Sequence, residues 1–316
     1  MKIYMPAVFP DPLMEGWGNG VTLDVNRTGY PVDRDTMKAH IADADVVVIN
    51  LDDVFDREMI DAAPKLKVIT LFAGSTYNID VAYAKSRGIT VCVTPGEIFE
   101  NTADLTFVLL MAVARRIPEA DAYIRDGKYH SWGPAVLLGT DIYGKTLGLL
   151  GLGKIGSAVA KRARGFGMRI LYTAAHGPKP QLEAELGCSY VDMETLLRES
   201  DFLSLHCKLA PDTEHLIGRK ELSMMKPNSF LINTARGKIV DEAALADALE
   251  SGTIAGAGLD VFEYEPKVTE KLLALSNTVL TPHLGASSTD NRLKMAEIAA
   301  QCTRDALNGL TPQYHA

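Results

Sequence analysis

The sequence predicts an α/β protein, with two domains built on parallel sheets and a cleft between them. Three observations predict it. The length of 316 residues suits two domains better than one. Short apolar, β-branched runs alternate with helical segments, as in parallel sheets covered by helices. A glycine turn, Gly151-Leu-Gly153-Lys-Ile-Gly156, stands between the run Lys145-Thr-Leu-Gly-Leu-Leu150 and a helical segment that starts at Ser157. In that setting the turn reads as a dinucleotide fingerprint. Its glycines permit a tight turn and a close approach of backbone to pyrophosphate, and the helix N-terminus offers free N–H groups to the phosphates.

The elements follow in order. Residues 46–50, 68–71 and 90–93 are short β-rich runs and read as buried parallel strands. Residues 34–42 and 81–87 read as helices between them, with Gly88 as the stop of the second. Residues 101–115 are too long and too apolar for a strand and read as a mostly buried helix. Pro118 can open a further helix, because proline suits a first helical turn. Asp126-Gly127 and Trp132-Gly133-Pro134 mark a loop. Beyond it, strands are expected at 146–150, 169–173, 189–191, 202–206, 229–234, 256–260 and 278–281, with helices at 181–186, 193–199, 220–225 and 242–251. The last helix, 291–308, is expected to return to the first unit. The first domain is then discontinuous, residues 1–99 plus 286–316, and residues 100–285 form the second. Both are expected to be Rossmann-like or flavodoxin-like.

Composition excludes several classes. Hydrophobic residues make up 47% and charged residues 23%, as in globular proteins, and the net charge is -8. With no Lys/Arg block, nucleic acid is not an expected partner. No apolar run reaches the length of a membrane span, and the start, Met1-Lys-Ile-Tyr-Met-Pro6, lacks the long apolar run of a signal peptide, so no membrane is expected. Cys92, Cys188, Cys207 and Cys302 are scattered with no paired spacing, which gives no metal site and fits reduced thiols in the cytoplasm.

Three further motifs sit at expected strand ends. In Ile232-Asn-Thr-Ala-Arg236-Gly237 an arginine follows a strand, where open α/β sheets bind ligands, and its planar fork can grip a carboxylate. Gly256-Ala-Gly-Leu-Asp260-Val-Phe-Glu-Tyr-Glu265-Pro266 places one acid at a strand end and another in the loop beyond. Leu280-Thr-Pro-His283-Leu-Gly285-Ala286 offers a candidate acid/base near neutral pH, with Glu265 as the natural partner of His283. Taken alone, the arginine reads as surface, the acids as a solvated loop and the histidine as a satisfied structural residue; together they fall at strand C-termini of one sheet.

With these motifs the chain resembles the D-isomer-specific 2-hydroxyacid dehydrogenases over nearly its whole length. The likeness is strongest from Thr140 to Ala286 and includes Leu231-Ile-Asn-Thr-Ala-Arg-Gly-Lys-Ile-Val-Asp241. Tyr143-Gly-Lys-Thr and the stretch from Lys161 to Tyr172 look most like the glyoxylate/hydroxypyruvate reductase branch. The resemblance implies hydride transfer between NAD(P)H and a small 2-keto acid. It implies catalytic roles for Arg236 on the substrate carboxylate and keto oxygen, His283 as proton donor and Glu265 as its partner. It implies cofactor contacts from Thr102, Gly151, Gly153, Lys154, Ile155, Gly156, Ala174, Cys207, Lys208, Thr234, Ala235, Asp260 and Gly285. It places the substrate carboxylate on Ala73, Gly74 and Ser75, where many relatives carry Gly-x-Gly, and it implies a homodimer. The same fold also serves cofactor-sensing corepressors, which form the alternative reading. Formate enzymes of this fold carry glutamine where Glu265 stands.

Two departures bear on specificity. After residues 169–173 the chain reads Ala174-Ala-His-Gly-Pro-Lys179, with no acid to hold a ribose 2′-OH or repel a 2′-phosphate. This leans the cofactor towards NADP, with Lys179 or Lys208 as candidate phosphate contacts. Leu205-His-Cys-Lys208-Leu lacks the proline that the family places there. The loop Asn50-Leu-Asp-Asp53 lies where relatives meet the substrate side chain, and two acids there would repel a second carboxylate or a phosphate. A small uncharged substrate of the glyoxylate, hydroxypyruvate or pyruvate type is expected.

Overall fold

The computed structural model describes residues 1–94 and 98–316. Contacts divide the chain into two compact units, Met1–Ile98 with Ser287–Ala316, and Phe99–Ala286.

The first unit runs β1 (Lys2–Met5), α1 (Asp11–Met14), β2 (Thr22–Val25), α2 (Arg34–Ile41), β3 (Val46–Ile49), α3 (Arg57–Asp61), β4 (Val68–Leu71), α4 (Val81–Ser86) and β5 (Thr90–Val93). The second carries α5 (Ile98–Ala114), α6 (Ile117–Arg125), β6 (Thr146–Leu150), α7 (Lys154–Gly165), β7 (Arg169–Thr173), α8 (Pro180–Leu186) and β8 (Cys188–Tyr190). It continues with α9 (Met193–Glu199), β9 (Phe202–Leu205), α10 (Arg219–Met224), β10 (Phe230–Asn233), α11 (Glu242–Glu250), β11 (Gly256–Leu259), α12 (Glu270–Ala274) and β12 (Thr278–Leu280). The last helix, α13 (Thr289–Leu307), belongs to the first unit.

The first sheet has five strands in the order β2-β1-β3-β4-β5, paired in parallel. Val46–Ile49 and Val68–Leu71 are buried at every position, as expected of strands covered on both faces. One face is closed by Met37, Ile41, Met59 and Ile60 from α2 and α3. The other is closed by Met295, Ala296, Ala299 and Ala300 of α13. A buried hydroxyl pair, Thr70 Oγ to Thr303 Oγ at 2.6 Å, fastens α13 to β4.

The second sheet has seven strands in the order β12-β11-β10-β9-β6-β7-β8, again parallel. The order reverses at β6, so the loops after β6 and β9 flank the topological switch point where open α/β sheets bind ligands. Both sheets are therefore of the expected α/β class. Asp33, Asp56, Asp80, Asp192, Asp241 and Ser288 cap their helices with side-chain oxygens. Pro118 opens α6, as its position allows.

Some boundaries differ from the sequence reading. β9, β10, β11 and β12 stop at Leu205, Asn233, Leu259 and Leu280, so His206, Thr234, Asp260 and Thr281 belong to loops. β1, β2, α1, α3 and α12 were not anticipated; the three helices have only four or five residues, too few for a periodic pattern, and β2 is only partly buried. Among the described residues no helix is long and apolar enough to cross a membrane.

Candidate active site

The glycine turn is shaped by close backbone approaches. Gly151 has φ 104°, and a Cβ there would lie 2.8 Å from the His206 carbonyl carbon, so only glycine lets the end of β6 pass that of β9. A Cβ on Gly156 would meet the Gly151 carbonyl oxygen at 2.3 Å, which locks α7 against the turn. Gly153 differs: a Cβ there would meet nothing within 4 Å. It is the N-cap of α7 and offers no side-chain cap. The first-turn N–H groups of Lys154, Ile155 and Gly156 have no intrahelical partners and carry the positive end of the helix dipole. This arrangement fits a pyrophosphate.

Around the turn, Ile155 packs into the core and Lys154 is exposed. Ala174 follows β7. Lys179 reaches back from the same loop, its Nζ donating to the Leu152 carbonyl at 2.8 Å. Lys208 follows β9, on the opposite side of β6 from the end of β7, with its side chain in solvent. Burial raises the Cys207 thiol above its ordinary pKa, so it stays protonated. His206 packs beside the turn with Nε2 2.9 Å from Ser204 Oγ, and burial lowers its pKa to about 3, so the ring is neutral.

The remaining candidates come from three neighbouring strands. Asn233, the last residue of β10, shapes the turn that follows: its Oδ1 accepts from Ala235 N at 3.0 Å and its Nδ2 donates to Arg236 O at 3.0 Å. Arg236 is exposed, and its Nη1 donates to the Ala235 carbonyl at 2.6 Å. Among the described residues no carboxylate forms an ion pair with it.

Asp260, after β11, holds the loop after β12. Its carboxylate accepts from Thr281 Oγ at 2.6 Å, Leu284 N at 2.7 Å and Gly285 N at 2.9 Å. His283 N donates to Asp260 O at 2.9 Å. These bonds hold His283 at φ 54°, a left-handed conformation that a non-glycine residue keeps only when its surroundings impose it. Burial raises the Asp260 pKa despite the three donors.

Within this frame His283 Nδ1 lies 2.9 Å from Glu265 Oε2. The other oxygen, Oε1, accepts from Phe262 N at 2.9 Å. Burial pushes the Glu265 carboxyl up, but the hydrogen bonds from His283 and Phe262 outweigh it and leave the pKa below the usual value. The same bond raises the pKa of His283 above 6.5, against desolvation and the nearby Arg236 charge. An ionised Glu265 only accepts, so Nδ1 is the donor and Nε2 is free for a second partner. The half-exposed imidazole, the carboxylate behind it and the guanidinium sense one another electrostatically. That set can bind an anion and move a proton.

Two candidates are engaged in supporting bonds. Thr102, buried on α5, donates to Gly285 O at 3.3 Å. Thr234 Oγ lies 2.8 Å from Thr106 Oγ, which in turn lies 2.7 Å from Thr102 O. Thr106 was not singled out from sequence, although it stands four residues from Thr102 on one helical face. In the first unit, Ala73, Gly74 and Ser75 follow β4, with the Ala73 carbonyl accepting from Thr94 N at 2.9 Å. Asp53 departs from expectation. Its Oδ2 accepts from Asn50 N at 2.8 Å, and desolvation raises its pKa, so of the two acids in that loop only Asp52 is fully exposed.

Residues 107–285 match the family profile described as D-isomer specific 2-hydroxyacid dehydrogenase, NAD binding domain. The chain belongs to the D-isomer-specific 2-hydroxyacid dehydrogenases. It is an oxidoreductase that uses NAD(P) and acts between 2-keto and 2-hydroxy acids. It is 50% identical to the glyoxylate reductase of Thermococcus litoralis over 85% of this chain and 82% of that one. A Thermus thermophilus protein of solved structure is 41% identical, superimposes with a TM-score of 0.92 and is covered completely, as is this chain. An NADPH-dependent glyoxylate/hydroxypyruvate reductase from Sinorhizobium meliloti is 30% identical with a TM-score of 0.80, covering 100% of this chain and 97% of that one.

Proposed function

We propose that this dehydrogenase reduces glyoxylate and closely related small, uncharged 2-keto acids, with Arg236, Glu265 and His283 as its working residues. The observation that carries the proposal is the bond between His283 Nδ1 and Glu265 Oε2 at 2.9 Å. Bound NAD(P)H supplies the hydride. Arg236 holds the substrate carboxylate and leans on the keto oxygen, where negative charge develops. His283 delivers a proton to that oxygen from Nε2, and Glu265 keeps the imidazole charged until then. In the oxidative direction the neutral imidazole accepts the proton instead. Ala73, Gly74 and Ser75 are assigned the second hold on the carboxylate through backbone N–H groups. Residues 1–99 with 286–316 then form the substrate domain and residues 100–285 the dinucleotide domain. The substrate class is supported by relatives such as the Thermococcus litoralis glyoxylate reductase and by the exposed Asp52, which disfavours a second negative charge.

The cofactor preference leans towards NADP, through Lys179 rather than Lys208. Lys179 follows β7, where the ribose 2′ position is read, and its ammonium already touches the glycine turn. A homodimer is supported by α6, which buries none of its residues, and by the exposed Ile117, Ile124, Tyr129, Trp132, Leu138 and Tyr143 on and after it. Free cysteines, three of them buried, suit a cytoplasmic location. Asp260, Thr102 and Thr234 are assigned to the cofactor side of the site and act mainly by holding the His283 and Arg236 loops.

The test is turnover of a 2-keto acid panel with NADPH and NADH, followed by His283→Ala and Arg236→Ala on the best pair. Glyoxylate should lead with hydroxypyruvate near it, and both variants should lose at least about a hundredfold in kcat/KM. A preference for a dicarboxylic or phosphorylated keto acid would overturn the substrate class. Full activity without His283 would overturn the mechanism.

A further inference from the structure

We infer that Glu242, Glu263 and His215 form a clamp that positions Glu265, and so sets the proton affinity of His283. The inference rests on the role proposed above for the His283–Glu265 pair.

Glu263 stands two residues before Glu265 on the loop between β11 and α12. Glu242 opens α11. The two acids exchange bonds: Glu263 N donates to Glu242 Oε2 at 2.8 Å, and Glu242 N donates to Glu263 Oε2 at 3.2 Å. Glu242 Oε1 accepts from Thr269 N at 2.9 Å and from the Thr269 hydroxyl. One carboxylate therefore grips the loop on both sides of Glu265. Glu263 Oε1 pairs with His215 Nε2 at 2.8 Å, and His215 N donates to Lys238 O at 2.8 Å.

Gly237 completes the contact. A Cβ there would fall 1.9 Å from the Phe262 carbonyl and 2.4 Å from Glu263 N. The turn that carries Arg236 thus lies directly on the loop that carries Glu265, backbone to backbone.

Glu242 is 4% exposed and the Glu263 side chain 8%. Burying two carboxylates side by side is costly, and apolar residues could close the same gap more cheaply. What two acids add is register. A slip of one residue along the loop would break the reciprocal bonds together and carry the Glu265 carboxylate away from His283. The titratable groups facing Glu263 are Glu242 from α11, His215 from the segment before α10 and Tyr264 on its own loop. Those facing His283 are Glu265, Arg236 and Asp260. The clamp touches none of the reacting atoms; its members are positioning residues.

The experiment is the pH profile of kcat/KM for keto acid reduction in the full-length enzyme with saturating cofactor. Wild type, Glu263→Gln, His215→Asn and Glu265→Gln are compared. Reduction needs protonated His283, so activity falls as pH rises through its raised pKa. Glu263→Gln should move that falling limb down by at least about half a pH unit. It should lower kcat about tenfold while KM for the keto acid stays within about twofold. His215→Asn should shift the limb the same way by less. It alters a half-exposed side chain at φ 52°, which asparagine tolerates, so it keeps the test open if Glu263→Gln does not fold. Glu265→Gln is the reference and should move the limb furthest. If Glu265→Gln moves it and neither clamp variant does, the clamp is refuted while the pair stands. If Glu265→Gln leaves it unmoved, the reading of the pair itself fails, and the clamp with it.

Discussion

Replacing Gly153 with alanine should separate dinucleotide binding from folding. The structure gives the reason in one comparison. A methyl group at Gly153 meets no atom within 4 Å, whereas at Gly156 it meets the Gly151 carbonyl oxygen at 2.3 Å. The backbone of Gly153, at φ -88° and ψ -162°, is open to alanine. Its stability cost is then at most the N-cap penalty, about 1 kcal/mol. The added methyl, however, projects from the turn that must approach the pyrophosphate. Losing one hydrogen bond to a charged phosphate is worth about 1.5–3 kcal/mol. At about 1.4 kcal/mol per decade, the dissociation constant for NAD(P)H should rise roughly tenfold to a hundredfold. Calorimetric titration with the reduced cofactor reads the binding, and thermal unfolding of the apo protein reads the fold. Gly156→Ala should show the opposite balance, destabilised by about 1–3 kcal/mol through backbone overlap. If Gly153→Ala binds cofactor as tightly as wild type, the pyrophosphate does not lie on this turn.

Other expectations follow from the same geometry. Lys179→Ala should lower the ratio of NADPH to NADH efficiency by about tenfold, the loss of one charged contact, while Lys208→Ala leaves it within about twofold; steady-state kinetics with both cofactors decides. Replacing Ile117, Ile124 and Trp132 together with serine should convert a dimer to a monomer on light scattering, and an unchanged mass would remove this surface from the interface. The His283–Glu265 pair also makes stability depend on pH. His283 is raised in the fold, so its contribution is complete below 6.5 and lost as pH rises through the folded value. Glu265 is lowered, so its contribution is present above 4.5 and lost as pH falls. The difference in melting temperature between wild type and Glu265→Gln should therefore peak between those values, measured by scanning calorimetry across pH.

Much of this was legible in the sequence, for identifiable reasons. β3 announces itself as an unbroken apolar run, and β4, β6 and β7 as largely apolar ones, because their central residues are buried on both faces. Arg236, Asp260 and His283 drew notice because they follow expected strands of one sheet, and the structure places them just past the ends of β10, β11 and β12. Glu265 was found through its pairing logic with histidine. The edge strand β2 was missed because its four residues are only partly buried. Lys2 begins β1 with a charge that is paired to Asp24 and Asp43, which leaves an apolar run of only Ile3-Tyr-Met5 to mark it. Glu242 and Glu263 were passed over because an acid at a helix start or in an acidic loop looks like ordinary solvated surface. Their exchange of backbone bonds exists only once α11 and the loop after β11 are brought together. The substrate-side reading was weakened for a similar reason, since Asp53 serves its own loop instead of facing outward.

The central claim is that Glu265 holds His283 in its charged form beside Arg236. The most direct measurement is the pKa of the His283 ring, followed by NMR of selectively labelled histidines in wild type and Glu265→Gln. The account predicts titration above 6.5 in wild type and a clear fall in the variant. Titration of His283 at or below 6.5 in wild type, or a value indifferent to Glu265, would contradict it.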